Sequence, residues 1–315
     1  MAVQGQIECP LCLRGDISKV QTYQSKSQIF SGAWIVECMA CGLHFAWPAP
    51  AEKSLEEYNS QYYDSAHGGM AEDAISTAFF KGMAGIRAQY VENYICHKEI
   101  QVQHVLEIGP GSGFFAREWI GRNPNVRYSA IETDVARHAS LRELGITLLP
   151  VDQNGQEQKY DLVVMSHVLE HFPRPRHFIE KYTNSLMPGG ALFIEVPCLD
   201  HKHKTIHEPH LVFFDKKSMG ALLKESGYSD VCLSYHGSTL EQLEKPSLLK
   251  QRWESIRTRL IRMGVIRPFA GQQDGLGHEE SQIVRAVVKP YRAHVESVAP
   301  SWWLRAVAVK NHNDY

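Results

Sequence analysis

Three glycines at alternate positions, Gly109, Gly111 and Gly113, follow an apolar run and precede a helical pattern. The run "VLEI" is typical of a buried strand, and "FFAREW" is typical of the start of a helix. Glycine at such a junction permits a tight turn and a close approach of a ligand to the backbone. The free N–H groups of a helix start can also hold a polar ligand. The segment therefore predicts a ligand-binding turn between a strand and a helix.

Strand and helix patterns alternate after this turn. Strand patterns at 127–132, at 146–152 and in "ALFIEVP" are separated by helical patterns such as "RPRHFIEKYTNSL". This alternation is typical of an α/β fold with a mostly parallel sheet and helices on both faces. Ligands of such folds bind beyond the carboxyl ends of the strands. Residues 241–300 interrupt the alternation, and we interpret them as a helical insertion before a final strand at 301–315.

Four cysteines form two C-x-x-C pairs near the N-terminus. The pairs "CPLC" and "CMAC" are separated by 25 residues. Each pair directs two thiolates at one point, and two pairs complete a tetrahedron around zinc. Four thiolates leave no open position, so the metal is expected to be structural. We predict a zinc ribbon at 1–50, followed by a helical lid or linker at 51–100, with the ligands Cys9, Cys12, Cys38 and Cys41.

Composition excludes some partners. The 315 residues carry a formal net charge of −2, so the chain as a whole has no electrostatic preference for nucleic acid or a membrane surface. The N-terminus has no secretory pattern, and no stretch has the length of a membrane span. We therefore expect a cytoplasmic protein without membrane or nucleic-acid partners. Its expected partner is a small-molecule substrate, and a homodimer is the expected form if the protein self-associates.

Acidic residues indicate which ligand the glycine turn holds. A nicotinamide-binding turn needs a glycine where this chain has Phe114, and Glu107 before the turn would repel a pyrophosphate. A carboxylate there would attract an ammonium group instead. Glu132 and Asp152 end the next two predicted strands, where they can accept hydrogen bonds from ribose hydroxyls and an adenine amino group. S-adenosylmethionine has all these groups and no phosphate, so it is the predicted ligand.

The segments "VLEIGPGSGFFA", "AIETD", "DLVVMSHVLEHFPRP" and "LMPGGALFIEVP" resemble class I S-adenosylmethionine-dependent methyltransferases. The resemblance implies a Rossmann-like seven-stranded sheet, spanning 101–240 and the final strand, whose last strand is antiparallel. It also implies that Glu132 binds the ribose, Asp152 the adenine and the glycine turn the methionine side. The cofactor-binding residues implied in this way are Glu107, Gly109, Gly111, Gly113, Phe114, Glu132, Thr133, Asp152, Ser166 and Tyr63.

The N-terminal half also resembles a narrower group, the zinc-bearing methyltransferases that include deoxysugar C-methyltransferases. The matching residues are the two cysteine pairs and "GLHFAWPAP". That group has a His-Glu-His segment after the fifth strand. The corresponding segment here is "IHEPHLVFFD", in which Pro209 is inserted between Glu208 and His210. The resemblance implies methyl transfer to a sugar, a nucleotide-sugar or a natural-product intermediate.

Methylation of a hydroxyl or an acidic carbon requires a general base, and imidazole suits that task near neutral pH. The predicted base is His207 or His210, with Glu208 orienting it or accepting a proton, and His167 is a second candidate. His201 and His203, with a neighbouring carboxylate, are a candidate second metal site. The alternative functions are an RNA base methyltransferase with a zinc module, against which the near-neutral charge argues, and a non-enzymatic scaffold.

Overall fold

The computed structural model describes residues 7–58, 74–151, 159–245 and 295–312, with scattered residues between 252 and 263. The helices with assigned ends are α1 (Ala74–His97), α2 (Phe114–Arg122), α3 (His138–Glu143), α4 (Pro175–Thr183), α5 (Lys216–Glu225) and α6 (Leu240–Glu244). The strands are β1 (Ile17–Thr22), β2 (Trp34–Cys38), β3 (His44–Trp47), β4 (His104–Ile108), β5 (Arg127–Ile131), β6 (Thr147–Leu148), β7 (Tyr160–Ser166), β8 (Leu186–Pro197), β9 (Val212–Phe213), β10 (Tyr228–Thr239), β11 (Glu296–Ser297) and β12 (Ser301–Lys310).

The larger sheet has the strand order β11-β10-β12-β8-β7-β4-β5-β6. The strands from β8 to β6 pair in parallel, whereas β12 runs antiparallel to both β8 and β10. This confirms the predicted α/β class and the antiparallel final strand. In the described part of the chain, the seven expected strands are joined by the two-residue β11 at one edge.

Apolar residues on both faces explain why β4 lies in the middle of the five parallel strands, β8-β7-β4-β5-β6. Val105 and Leu106 point to opposite faces, and both are fully buried. In the parallel register, Ile108 at the end of β4 lies beside Ile131 on one side and Met165 on the other. The carboxyl ends of the central strands therefore meet at one edge of the sheet, and the glycine turn starts at that edge.

A smaller antiparallel sheet contains the N-terminal strands in the order β1-β2-β3-β9. Its fourth strand, Val212–Phe213, comes from the segment after β8, and Phe45 of β3 pairs with Val212. A strand from the part of the chain that we assigned to the core therefore completes the N-terminal sheet. The pairing of β3 with β9 brings the N-terminal residues close to the histidine-rich segment that precedes β9.

The predicted lid region includes a helical stretch at 52–58 and the long helix α1, which packs against α2. Most of the predicted insertion at 241–300 lies outside the described residues. Among the helices in the described part, none combines the length and apolar character needed to cross a bilayer.

Candidate active site

The glycine turn is shaped by contacts that exclude larger side chains. Gly109, Gly111 and Gly113 all have positive φ angles, between 55° and 70°. A Cβ atom at Gly109 would lie 2.9 Å from Val168 Cγ2, and one at Gly113 would lie 2.8 Å from Leu141 Cδ2. A Cβ at Gly111 would meet no described atom within 4 Å. The turn is therefore tightly packed on two sides and open at Gly111.

Glu132 links this turn to the end of the neighbouring strand. Its Oε2 accepts a hydrogen bond from the Gly111 N–H at 2.8 Å, and its Oε1 accepts one from the Asp134 N–H at 2.8 Å. The carboxylate therefore lies at the sheet edge, beside the open side of the turn. Thr133, the next residue, is exposed, and the Phe114 ring stacks on Phe80 with centroids 5.7 Å apart.

Glu107 lies beneath the turn and is buried. The Tyr128 hydroxyl donates a hydrogen bond to Glu107 Oε2 at 2.8 Å. Burial raises the pKa of the Glu107 carboxyl to about 7, although the hydrogen bond from Tyr128 lowers it. A bound ammonium group would favour the ionised form, so the predicted role of Glu107 toward the methionine end stays a prediction.

A buried carboxylate, Glu195, neutralises two arginines behind the sheet edge. Arg305 Nε donates to Glu195 Oε2 at 2.6 Å, and Arg87 Nε of helix α1 donates to Oε1 at 2.7 Å. The Glu195 side chain is 0% exposed. Burial raises the pKa of this carboxyl, but the two guanidinium groups outweigh burial and hold the pKa well below its usual range.

His167 follows β7 directly and connects Glu195 to a second carboxylate. Its Nε2 lies 3.3 Å from Glu195 Oε1, and its Nδ1 lies 3.3 Å from Glu170 Oε1. Its side chain is 36% exposed, and its φ of 57° lies in the left-handed region. Desolvation lowers the pKa of His167, but the two carboxylates outweigh it and raise the pKa above the usual value.

Glu170 and two histidines, His171 and His210, form a convergent group that we call the EHH cluster. One ligand atom from each residue lies within 4.8 Å of the others. His210 Nδ1 donates to Asp200 Oδ2 at 2.7 Å. Burial lowers the pKa of His171 to about 4. For Asp200, burial raises the pKa, but His210 and Lys204 outweigh it and hold the pKa far below its usual value. The Nδ1 atom of His210 is therefore bound to a carboxylate, and Nε2 is the ring nitrogen that can contact a substrate.

The predicted candidates His207 and Glu208 have other partners. His207 is 2% exposed, its Nδ1 accepts a hydrogen bond from the Gln24 N–H at 2.8 Å, and its Nε2 lies 3.3 Å from the Gln21 amide. Glu208 accepts hydrogen bonds from the N–H groups of Lys26 and Ser27. Both residues therefore attach the loop to the N-terminal sheet. The carboxylate that is hydrogen-bonded to His210 is that of Asp200, whereas Glu208 binds the backbone at Lys26 and Ser27.

The four N-terminal cysteines converge as the spacing predicted. Their Sγ atoms lie within 4.8 Å of one another, with Cys9–Cys41 and Cys12–Cys38 each at 3.5 Å. None of them forms a disulfide. Four thiols at these distances fit one tetrahedral metal ion and leave no position for a substrate.

Some predicted residues are placed elsewhere or not described. Asp152 and Tyr63 lie outside the described residues. His201 is buried, stacks on His44, and has its pKa lowered to about 3 by burial. Among the described residues, the histidines whose ligand atoms converge with a carboxylate are His171 and His210, and not His201 and His203.

Sequence reasoning missed three charged residues of this region, Glu195, Arg305 and Asp200. Each of the first two is the one charge within an otherwise apolar stretch, in "ALFIEVP" and "WLRAVAV". They lie directly opposite each other in the antiparallel pairing of β8 and β12. A carboxylate and a guanidinium isolated in neighbouring buried strands were therefore a signal for a buried ion pair.

Comparison with known proteins indicates which class of protein has a domain of this kind. Residues 79–233 match the family model described as a methyltransferase domain. This match and the strand order support an S-adenosylmethionine-dependent methyltransferase domain in this part of the chain.

The curated relatives extend the comparison. A ubiquinone biosynthesis O-methyltransferase of Coxiella burnetii is 30% identical over 115 residues, which cover 34% of this chain and 48% of that protein. A tRNA U34 carboxymethyltransferase of Pseudoalteromonas atlantica is 26% identical over 118 residues, 35% of this chain and 36% of that one. The chain spans about half the length of the first of these relatives.

Solved structures also resemble the chain. A plantazolicin methyltransferase in complex with S-adenosylhomocysteine has a TM-score of 0.44 at 15% identity, covering 82% of this chain and 97% of that one. A methyltransferase of Archaeoglobus fulgidus has a TM-score of 0.41 at 13% identity, covering 71% of this chain and 94% of that one.

Proposed function

We propose that this protein transfers a methyl group from S-adenosylmethionine to a small-molecule acceptor at the sheet edge between the glycine turn and the EHH cluster. The observation that carries the proposal is the position of the cluster. Val168 lies two residues before Glu170 and packs beside Gly109. The side chains of the EHH cluster therefore lie close in space to the glycine turn. When bound, S-adenosylmethionine supplies an electrophilic methyl group, and the chain must align an acceptor with it.

The cofactor would be held by the chain's own polar groups. The Glu132 carboxylate, now bonded to the N–H groups of Gly111 and Asp134, accepts hydrogen bonds from the ribose hydroxyls. The backbone at Gly111 gives the ligand room to approach. The buried carboxyl of Glu107 offers a negative charge at the methionine end. Asp152 and Tyr63 keep their predicted roles toward adenine and as part of a lid.

The acceptor would be activated at the EHH cluster. An acceptor hydroxyl or acidic carbon must lose a proton before or during methyl transfer. His210 has the arrangement of an oriented catalytic imidazole, because Asp200 holds its Nδ1 and leaves Nε2 for the acceptor. This assignment replaces His207, whose Nδ1 lone pair is used by the Gln24 N–H. We propose oxygen or carbon acceptors of the sugar, nucleotide-sugar or natural-product type.

We also propose that the four cysteines bind a structural zinc ion that stabilises the N-terminal sheet. The convergence of four thiols and the absence of a disulfide among them support this role. In this proposal, the ribbon does not bind RNA. Its function is to hold the loop at 201–210, which carries His210, against the catalytic domain.

Replacing Glu132 with alanine should weaken S-adenosylmethionine binding. Hydrogen bonds to a charged group contribute about 1.5–3 kcal/mol, so the dissociation constant should rise roughly 10- to 150-fold. Isothermal titration calorimetry with S-adenosylmethionine and S-adenosylhomocysteine measures this change. Glu180→Ala, on the exposed face of α4, is the control. Equal affinities of Glu132→Ala and the unmodified protein would contradict the assignment.

Replacing His210 and His207 separately should distinguish their roles. We expect His210→Ala to lower kcat by about 100-fold or more with little change in cofactor affinity. His207→Ala should instead lower thermal stability, because it removes the side chain that accepts the Gln24 N–H and joins the loop to the N-terminal sheet. Turnover with candidate acceptors and thermal melting of both variants provide the measurements. A larger loss of kcat in His207→Ala than in His210→Ala would restore His207 as the base.

A further inference from the structure

We propose that the EHH cluster binds a divalent transition-metal ion that activates a hydroxyl acceptor. Glu170, His171 and His210 supply one carboxylate oxygen and two imidazole nitrogens, all within 4.8 Å of one another. Metal–ligand bonds of about 2.0–2.2 Å require these atoms to lie roughly 3.0–3.5 Å apart, which small side-chain rotations can achieve. This inference rests on the proposed methyl transfer and states how the same site would work.

Glu170 is a buried carboxylate that pairs with the His167 imidazole through one oxygen. Its side chain is 1% exposed, and its Oε2 has no hydrogen-bond partner among the described residues. The nearest basic nitrogen recorded for it is His167 Nδ1, at 3.3 Å. By contrast, the equally buried Glu195 is held by Arg87 and Arg305. The pair with His167 uses Oε1, so Oε2 is the oxygen that we assign to a cation held by the EHH cluster.

The surroundings of His210 provide independent support. A histidine that binds a metal usually donates its other ring N–H to a carboxylate or a backbone carbonyl, which fixes the ring and its tautomer. His210 Nδ1 donates to Asp200 Oδ2 at 2.7 Å, so Nε2 is the nitrogen left for the metal. The His171 ring lies edge-on to His210 with centroids 5.0 Å apart. Lys204 binds the same Asp200 oxygen at 2.8 Å, which further fixes that carboxylate.

The ligand set indicates the class of metal and of substrate. Two imidazoles and one carboxylate favour Zn²⁺, Mn²⁺, Co²⁺ or Fe²⁺ over Ca²⁺ and Mg²⁺, which prefer sites built of oxygen ligands alone. Three protein ligands leave coordination positions open, and both histidines are only partly buried. A hydroxyl bound at an open position has a lowered pKa. The acceptor would therefore be an alcohol or phenol, and the reaction an O-methylation.

The chemical step balances without any further reagent. The acceptor O–H bond breaks, and its proton leaves to water. The O–C bond to the methyl group forms as the S–C bond breaks, and the sulfonium becomes a neutral thioether. In this scheme His210 would act as a ligand, and the cation would lower the pKa of the acceptor hydroxyl, so that the proton can pass to water without an imidazole base.

The test is direct metal binding to the full chain, with the cysteine site first saturated with zinc. Mn²⁺ is the main probe, because it prefers oxygen and nitrogen ligands to thiolates and its free form is quantified by electron paramagnetic resonance. Co²⁺, which binds such sites more tightly, is the second probe, followed by visible absorption. We expect one Mn²⁺ or Co²⁺ per chain, and at least tenfold weaker binding in Glu170→Gln and His210→Asn.

Asp200→Asn tests the outer partner of His210 and should weaken metal binding about 10- to 100-fold. The matched controls are Glu180→Gln and His177→Ala on α4, which should bind as the unmodified protein does. The site is overturned if the wild-type chain binds neither Mn²⁺ nor Co²⁺ in stoichiometric amount, or if folded Glu170→Gln and His210→Asn bind both normally.

Calorimetry with S-adenosylmethionine on the same samples separates the two proposals. Cofactor binding without a bound cation would overturn the metal site alone. Cation binding without cofactor binding would overturn the methyltransferase function alone.

Discussion

Glu195→Gln is expected to lower the free energy of unfolding by about 3 kcal/mol or more, the loss typical of a buried ion pair that loses one partner. The Glu195 carboxylate is fully buried and accepts short hydrogen bonds from Arg305 and Arg87. Glutamine keeps the shape but removes the charge that two guanidinium groups require. Urea denaturation at neutral pH, followed by circular dichroism, measures the loss.

The acid dependence of stability provides a second readout of the same interaction. The arginines hold the pKa of Glu195 below its unfolded value of about 4.3. The stabilisation is therefore complete above that value and is lost as the pH falls through the lower folded pKa. Below about pH 4, the difference between the wild type and Glu195→Gln should shrink.

The control is Glu180→Gln, which removes an exposed i, i+4 partner of Arg176 and should cost less than about 0.5 kcal/mol. Equal losses in the two variants would show that the buried network contributes no more than a surface ion pair. A loss of cofactor binding in Glu195→Gln without a loss of stability would instead assign Glu195 to the ligand site.

Local patterns were sufficient to predict the α/β fold class and the glycine turn between a strand and a helix. The turn at Gly109–Gly113 and the alternation of strands and helices depend on residues that are neighbours in sequence, so their spacing is directly readable. The antiparallel final strand was expected from the resemblance to class I methyltransferases and not from the strand patterns themselves. The Glu195–Arg305 pair follows from strand register, and it could have been found by comparing isolated charges in the two strands.

The roles within the histidine-rich loop could not be read in the same way. His207, Glu208 and His210 are equivalent in a sequence pattern, and only the path of the loop separates them. That path is set by contacts across more than 180 positions, such as the Gln24 N–H to His207 Nδ1 bond. The pairing of Asp200 with His210 could not be predicted for the same reason. A short helical turn at Asp200–Lys202 helps to bring the Asp200 carboxylate next to His210.

Cys38→Ser is expected to abolish most turnover while leaving the affinity for S-adenosylmethionine within about threefold of the wild type. If zinc holds the four cysteines, its loss removes the binding free energy that folds the N-terminal sheet, which for structural zinc sites is on the order of 10–16 kcal/mol. That sheet holds the catalytic loop. The Tyr23 hydroxyl donates to the His210 carbonyl at 2.9 Å, and Ser27 N–H donates to Glu208 at 3.1 Å.

Once these bonds are lost, His210 is no longer held at the sheet edge, so kcat should fall by about 100-fold or more. The cofactor turn and Glu132 belong to the parallel sheet and receive none of these hydrogen bonds, so their affinity should persist. Zinc content by a colorimetric chelator, S-adenosylmethionine calorimetry and turnover on the same samples provide the measurements. Cys96→Ser, an exposed cysteine at the end of α1, is the matched control and should match the wild type. Full turnover in zinc-free Cys38→Ser would show that the loop keeps its conformation without the ribbon, and that the N-terminal sheet serves some purpose other than placing His210.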